Sequence, residues 1–336
     1  MRRNALVVVY VVSSLAVLSA ADGPYSVVKE IKIGGPGGWD YITVDPAAHR
    51  IYVSHATKIV VADTNSGAIV GEIADTPGVH GIAVAPDLGL GYTSNGRDNT
   101  STIVDLKTLK PVMKVMTGGN PDAIFYERGR HEVYTFNGQG QSATVFDAKS
   151  GNVIATIPLM GKPEAPAFDA DAKRLYVNIE DKNAIAVIDP DKHTLLATWP
   201  LTGCEEPTGL AFDVKRHRLF SVCSNSVMIV VDSQSGKVVT TAPIGARSDG
   251  AAFDPQTGYI FSSNGEGSLT VATLQGDSVN IVQTATTQPS GRTIALDPTT
   301  HTVYIPAATM GAAAAGQRPQ PVPDSFRVLV LGMTTR

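Results

Sequence analysis

The residues best suited to chemistry form a set that recurs along the chain. Six of its seven members are ionisable, although charged residues make up only 17% of the sequence. With spacings of 40–44 residues, the set comprises Asp40, His80, Asp122, Glu164, Thr208, Asp249 and Arg292. Carboxylates can hold calcium through oxygen, and a histidine with carboxylates can hold zinc. Asp40, His80 and Asp122 are consecutive members of the set and are the first candidates for a divalent-cation site.

Each member of a second recurring set lies 15 residues after a member of the first set. Its members are His55, Asn95, Asn137, Ile179, Cys223, Asn264 and Ala307. We include His55 among the candidate ligand-binding residues, and Trp39 and Tyr41 beside Asp40 could supply an aromatic wall. The competing interpretation of both sets is structural, because an Asp at the entrance of a strand can cap a turn and a charged residue there is ordinarily solvated.

An internal repeat positions these residues. The residues that end the first strand of each unit, at intervals of 40–44, are Asp45, Ala85, Glu127, Asp169, Asp213, Asp254 and Asp297. The turns after the third strands open, at intervals of 42–43, at Asp63, Asp105, Asp147, Asp189 and Asp232. Four short strands in about 42 residues are typical of a β-propeller blade, and the β-branched, alternating apolar residues argue against helical repeats. We expect these turn aspartates to cap their turns.

The repeat predicts an all-β protein, a seven-bladed propeller of four-stranded antiparallel blades. Large and small residues alternate in the first strands, as in Phe212 beside Ala211, so each blade should press a bulky face onto a small one. The last unit stops after a third strand, 326–331, and the segment 27–33 resembles an outer strand. The N-terminal strand should therefore complete the last blade. In such a ring both recurring sets face one channel mouth.

Residues 1–21 have the layout of a signal peptide: Arg2 and Arg3, an apolar run too short to span a membrane, and small residues before a cleavage site. We therefore expect an exported protein, periplasmic or extracellular, without a membrane span after signal removal. Residues 22–336 are expected to form a single propeller domain and a monomer. The segment 307–325 is an insertion, either a lid or a mobile loop, of which we favour the loop.

Charge and cysteine content narrow the possible partners. The sequence has 27 basic and 31 acidic residues, and loss of Arg2 and Arg3 would change the net charge from −4 to −6. This balance disfavours broad contact with nucleic acid, which needs a positive surface. The chain has two cysteines, Cys204 and Cys223, both on the channel-mouth side of the fifth unit. In an exported protein they are expected to form a disulfide.

Three segments resemble the YVTN-type β-propeller repeat family: Leu175–Asn178, Ile51–Ser54 and Val303–Ile305, together with Asp-x-x-Ser-Gly turns such as Asp147–Gly151. The resemblance covers about 27–331. It implies an exported seven-bladed propeller, and members of this group are mostly of unassigned role, although one binds single-stranded DNA. Wider relatives include the propellers of nitrous oxide reductase and amine dehydrogenase.

The chain departs from those enzymes. It has no Cys-x-x-Cys-His motif for haem. Its seven histidines cannot form a copper cluster, because four lie in other turns: His49, His131, His217 and His301.

These observations predict a binding protein that takes a small polar ligand, a cation or a protein partner at an acidic channel mouth. The residues expected to bind are Asp40, His55, His80, Asp122, Glu164, Asp249 and Arg292. Whether any reaction is catalysed stays open, and we favour none. One alternative is a metal-dependent, lactonase-like hydrolase, since seven-bladed lactonases use a metal at the channel mouth to activate water. Another is a single-stranded nucleic-acid binder that uses a patch of Arg97, Lys182, Arg247 and Arg292.

Overall fold

The computed structural model describes residues 23–312 and 319–334, so the predicted signal peptide lies outside the described residues. It contains 28 strands in seven four-stranded antiparallel sheets. A single 3₁₀ turn, Glu180–Lys182, is the helical element of the described residues. Within this part of the chain, no helix is long and apolar enough to cross a membrane. The all-β, seven-bladed architecture predicted from the repeat is therefore confirmed.

The first described strand, β1 (Tyr25–Lys32), belongs to the last blade. The other strands, blade by blade in chain order, are β2 (Ile42–Asp45), β3 (Arg50–His55), β4 (Lys58–Asp63), β5 (Ile69–Ile73); β6 (Val79–Ala85), β7 (Leu90–Asn95), β8 (Thr100–Asp105), β9 (Lys110–Met116); β10 (Pro121–Glu127), β11 (Glu132–Asn137), β12 (Ser142–Asp147), β13 (Val153–Pro158); β14 (Pro163–Asp169), β15 (Arg174–Ile179), β16 (Ala184–Asp189), β17 (Thr194–Pro200); β18 (Pro207–Asp213), β19 (Arg218–Cys223), β20 (Val227–Asp232), β21 (Val238–Pro243); β22 (Ser248–Phe253), β23 (Tyr259–Asn264), β24 (Ser268–Gln275), β25 (Ser278–Thr286); and β26 (Ala295–Asp297), β27 (Thr302–Ala307), β28 (Arg327–Met333).

The ring closes through the seventh blade, as predicted. Strand β1 pairs antiparallel with β28, with Glu30 opposite Leu329. The first strands of consecutive blades contact one another around the whole circle, including β26 with β2. Because the outer strand of the last blade comes from the N-terminal side, this blade has four strands like the others, and its third strand β28 is paired on both sides.

The alternation of large and small residues packs one blade on the next. In the fifth blade Ala211 lies opposite the second-strand residue Phe220, and Phe253 of the sixth blade lies against Phe220 at a ring-centroid distance of 5.8 Å. The fourth blade repeats this arrangement, with Ala167 opposite Tyr176 and Phe212 packed on Tyr176. The alanines therefore make room for a second-strand aromatic, which the first-strand pattern did not reveal.

The turn aspartates are capping residues, as predicted. Asp63 Oδ1 accepts hydrogen bonds from the backbone N–H and the hydroxyl of Ser66, both at 2.7 Å. These two bonds hold the pKa of Asp63 below its usual range. The turns between first and second strands, on the same face, use a related device, since Asp169 Oδ1 accepts from Ala172 N. The carboxylates of these turns thus already accept hydrogen bonds from nearby backbone N–H groups.

The described flanks of the predicted insertion 307–325 are paired with each other. Gly311 N donates to Gln320 O at 2.8 Å, and Val322 N donates to Thr309 O at 2.8 Å. An isolated antiparallel bridge joins Met310 and Pro321. These contacts fix the two ends of the insertion beside the channel mouth.

Candidate functional site

All seven members of the first recurring set line one cavity of about 450 Å³. Its remaining lining residues are Tyr41, Lys162 and Glu180. Each member of the set lies at or just before the start of a first strand, and the first strands surround the axis. Seven positions that are about 42 residues apart in the sequence therefore converge at one mouth of the channel. We call this space the polar cavity.

Three side chains from consecutive blades meet in the polar cavity. Asp40, His80 and Asp122 each offer a ligand atom, and these atoms lie within 4.8 Å of one another. His80 Nδ1 lies 2.7 Å from Asp40 Oδ2 and 3.4 Å from Asp122 Oδ1. The backbone N–H of Asp40 is hydrogen-bonded to Ser54 Oγ at 2.8 Å, which positions this residue. The spacing of the three side chains resembles that of ligands around one ion.

The other charged side chains of the cavity are largely neutralised by partners. Arg292 Nη1 contacts Asp249 Oδ2 at 3.2 Å, and Arg292 Nη2 donates to the backbone carbonyl of Trp39 at 2.8 Å. Lys162 Nζ contacts Glu164 Oε1 at 2.8 Å and is also paired with Glu180. Asp40 and Asp122 share the single imidazole of His80, and Arg292 Nη2 lies 3.9 Å from Asp40 Oδ1, so their negative charge is the least compensated of the cavity.

Burial in this crowded cavity raises several carboxyl pKa values. Desolvation and then the charge of Asp40 raise the pKa of Asp122 to about 7. Desolvation also raises the pKa of Asp249 to about 6, although Arg292 opposes this effect. Burial by itself lowers the pKa of His80, but the hydrogen bond to Asp40 and the charge of Asp122 outweigh it, so that the pKa is raised. Bound protons therefore reduce the negative charge of these carboxyl groups, and a bound cation could take the place of the protons.

Glu164 and Glu180 form a carboxylic acid–carboxylate pair. Burial, followed by the charge of Asp122, raises the pKa of Glu164 to about 9. Burial also acts to raise the pKa of Glu180, but its hydrogen bonds to Glu164 and Lys162 outweigh this and lower it. At neutral pH the proton resides on Glu164, and Lys162 neutralises the ionised Glu180.

Tyr41 closes the bottom of the polar cavity. Its hydroxyl donates to Glu164 Oε2 at 3.3 Å, so the side chain reaches from the first blade to the fourth. A second cavity of about 250 Å³, inside the channel and largely apolar, is also lined by Tyr41 and by Ile82, Ile124 and Leu210. Desolvation and then the charge of Glu164 raise the pKa of Tyr41 well above its usual value, so the hydroxyl stays protonated. The sequence suggested Tyr41 only as an aromatic wall.

His55 does not line the polar cavity. It is 2% exposed, its ring packs on Phe326 at a centroid distance of 4.7 Å, and neither ring nitrogen has a hydrogen-bond partner among the described residues. Burial, with the charge of Lys58, lowers its pKa and keeps it neutral. The expectation that His55 faces the channel with the others is not met, because it ends a second strand and points into the packing between strands.

The asparagines of the second recurring set have a structural role, because their side chains form hydrogen bonds within their own blades. Asn95 Nδ2 donates to Thr100 Oγ1 at 3.0 Å and to Thr102 Oγ1 at 2.8 Å. Asn137 and Asn264 make the same pair of bonds within their own blades. These three asparagines therefore join the second strand of their blade to its third strand.

Lys162 is a cavity residue that the repeat did not single out. Its one basic counterpart is Arg247, which also stands two positions before a member of the first recurring set, Asp249. The proposed nucleic-acid patch gains no support, since Arg292 is paired inside the cavity and Lys182 contacts Asp181 at 3.1 Å. The predicted disulfide is confirmed: Cys204 and Cys223 are bonded, with a Cα–Cα distance of 5.5 Å. It ties the loop that enters β18 to the end of β19.

The comparisons with known proteins bear on the fold. No family model matches the chain, and no curated protein matches it. Among solved structures 1854 chains match, so the fold similarity by itself does not select a function. One of them is a propeller chain from "Crystal Structure of Mitotic Checkpoint Complex", with a TM-score of 0.74 and 14% identity, covering 95% of this chain and 99% of that chain. At this identity the likeness establishes the seven-bladed β-propeller fold and nothing further.

Proposed function

We propose that this chain is an exported propeller of the YVTN repeat type that binds a divalent cation in the polar cavity and presents it to a small polar ligand. The observation that carries the proposal is the convergence of Asp40, His80 and Asp122, from three consecutive blades, on a region within 4.8 Å. Lys162 is paired with Glu164 and Glu180. Arg292 contacts Asp249 at 3.2 Å and reaches Asp40 only at 3.9 Å. A cation would therefore meet charge that no neighbouring side chain fully compensates.

The donor set favours a transition-metal ion over calcium. Calcium takes six to eight oxygen ligands. One imidazole nitrogen with two carboxylates is instead a donor set suited to zinc, and with more water to manganese. Three protein ligands would leave coordination positions open toward the cavity, where a small polar ligand could bind the ion directly.

The test is cation binding by calorimetry after removal of metal with EDTA, with Zn²⁺, Mn²⁺ and Ca²⁺ as separate titrants. We expect one equivalent of Zn²⁺ or Mn²⁺ to bind and to raise the melting temperature. His80→Gln and Asp40→Asn should each abolish binding. The exposed carboxylate Asp171 provides the matched control, and Asp171→Asn should bind normally. Absence of saturable binding in the parent protein, or equal binding by His80→Gln, would refute the proposal.

One observation favours a second candidate function, the lactonase-like hydrolase. Glu164 carries a proton at neutral pH in the same cavity as the three ligands, since its pKa is raised to about 9 by burial and the charge of Asp122. A neutral carboxylic acid near an activated water could protonate a leaving oxygen. A screen of lactones and esters with Zn²⁺ or Mn²⁺ tests this, and a rate that is unchanged in Glu164→Gln would remove the role for Glu164.

Export is supported by two features of the chain. The segment 1–21 has the layout of a secretory signal, and disulfides such as Cys204–Cys223 persist in oxidising compartments. Fractionation of the expressing cell tests this proposal, with recovery of a processed chain outside the cytoplasm as the expected result. Unprocessed protein confined to the cytoplasm would contradict it.

A further inference from the structure

A second concave space adjoins the polar cavity. Its volume is about 600 Å³, within the range of sites for small organic molecules. We call this space the rim groove. Its walls include Trp39, Pro289 and Met310, and it shares Asp249 and Arg292 with the polar cavity. It lies outside the candidate cation ligands, so its function is a separate question.

The apolar wall of the rim groove is held in place by packing. Trp39 is 8% exposed and stacks on Phe326, with a centroid distance of 5.0 Å and an interplanar angle of 25°. Met310, 38% exposed, is held by its bridge to Pro321. An exposed thioether and a fixed indole beside proline form a surface suited to an apolar ligand body.

The rim groove also contains the basic side chain of Arg247, which has no ion-pair partner among the described residues. Arg247 is exposed and lines the groove, and it makes no ion pair with any residue that the structure describes. Its backbone carbonyl accepts a hydrogen bond from Gly265 N at 2.8 Å, which anchors the loop that carries it. The other charges of the groove, Asp249 and Arg292, neutralise each other at 3.2 Å. The groove therefore has one uncompensated positive charge beside an apolar wall.

We propose that the rim groove binds a small amphipathic carboxylic acid, with the carboxylate on Arg247 and the alkyl or aryl body against Trp39, Pro289 and Met310. A guanidinium pairs with a carboxylate through two parallel hydrogen bonds, which fixes the orientation of the ligand. The protein as a whole is acidic, with a net charge of −4. The electrostatic potential of the whole protein would thus attract amphipathic cations. A preference of the rim groove for an anion must therefore come from Arg247.

The experiment uses tryptophan fluorescence, because Trp39 forms part of the groove. The other tryptophan, Trp199, packs on Tyr176 in the fourth blade and is removed by Trp199→Phe. Sodium octanoate, sodium acetate and octylamine are titrated into this variant in the presence of EDTA. We expect saturable quenching by octanoate, with acetate and octylamine at least about tenfold weaker, because each lacks either the apolar body or the negative charge.

Variants in the Trp199→Phe background assign the two contacts. Arg247→Gln should weaken octanoate binding about tenfold, as expected for the loss of a charge-assisted hydrogen bond. Met310→Glu should weaken it at least as much, since it places a negative charge in the groove. Arg128→Gln is the matched control, because Arg128 is an exposed arginine paired only loosely with Asp87 at 3.7 Å.

Equal binding of octanoate and octylamine, equal binding of octanoate and acetate, or octanoate affinities that match across Arg247→Gln, Met310→Glu and Arg128→Gln would overturn the inference. Because the titrations contain EDTA, a failure of cation binding in the polar cavity leaves this result unaffected. Conversely, cation binding by calorimetry with no response to octanoate refutes the rim groove alone.

Discussion

The carboxyl group of Asp122 should destabilise the cation-free protein, and this provides a direct test of the polar cavity. The side chain is 7% exposed, and its pKa is raised from 3.8 to about 7, mainly by desolvation and then by the charge of Asp40. A carboxyl group that is harder to ionise in the folded than in the unfolded state lowers stability once it is charged. Asp122→Asn, which keeps the shape and removes the charge, should therefore stabilise the cation-free protein.

The magnitude follows from the two pKa values. The difference between 3.8 and about 7 corresponds to about 4 kcal/mol at 1.36 kcal/mol per pH unit. The pKa of about 7 already includes the favourable charge of His80. Because an amide replaces the contacts of the carboxylic acid only in part, we expect about 2–4 kcal/mol at pH 8. For a chain of this length, about 2 °C per kcal/mol gives a rise in melting temperature of roughly 4–8 °C.

The pH dependence has a definite sign. Well below pH 4, Asp122 is protonated in both states, and the variant should gain little. Between about pH 4 and pH 7 the unfolded chain releases this proton while the folded protein retains it, so the parent protein loses stability as the pH rises. Above about pH 7 the difference between parent and variant should be constant.

Urea denaturation with EDTA at several pH values between 4.5 and 8.5 measures this difference, with Asp171→Asn as the exposed control. The same variant should lose the thermal stabilisation that Zn²⁺ or Mn²⁺ gives the parent protein. If Asp122→Asn is destabilising at pH 8, or if its effect does not change between pH 4.5 and pH 8, the assignment of Asp122 as a strained, buried carboxyl group is wrong.

Three further predictions address the cation, the disulfide and the packing. Cation affinity should fall as the pH is lowered through the raised pKa of His80, because the proton and the metal compete for Nδ1; calorimetry at pH 6 and pH 8 measures this, and equal affinity would exclude the imidazole as a ligand. The double substitution of Cys204 and Cys223 by Ala should lower the free energy of unfolding by about 3 kcal/mol, given a sequence separation of 19 residues, and a urea midpoint unchanged from the oxidised protein would contradict this. Ala211→Leu should destabilise by about 1–3 kcal/mol, because Phe220 and the next blade already fill that space, and a neutral effect in thermal melts would disprove the tight packing.

Much of the architecture was available from the sequence because it is periodic. Several features repeat at about 42 residues: the turn aspartates, the four-strand unit and small residues such as Ala211. Each copy indicates the same turn or the same packing position in its own blade. The predicted convergence of the first recurring set is seen in one cavity, since position relative to the first strand determines which residues reach the channel mouth, and its role in binding stays a prediction. The disulfide followed from the placement of both cysteines in one unit.

His55 and Lys162 show where this reasoning ends. Both lie near a channel-mouth loop, yet His55 is buried against Phe326. Lys162 reaches into the polar cavity, whereas Arg247 at the equivalent position of the sixth unit does not line it. Repeat position fixes which strand end carries a residue, but not whether its side chain turns toward the axis or between strands.

The sequence by itself thus determined the number of blades, their closure and the set of residues that surround the channel, because these follow from periodic, local patterns. Only the tertiary structure decided which charges are paired, that Tyr41 crosses the axis to Glu164, and that ligand atoms of Asp40, His80 and Asp122 lie within 4.8 Å of one another. Those features depend on distances between side chains of different blades. Such distances are fixed when the ring closes, and no local pattern within one repeat encodes them.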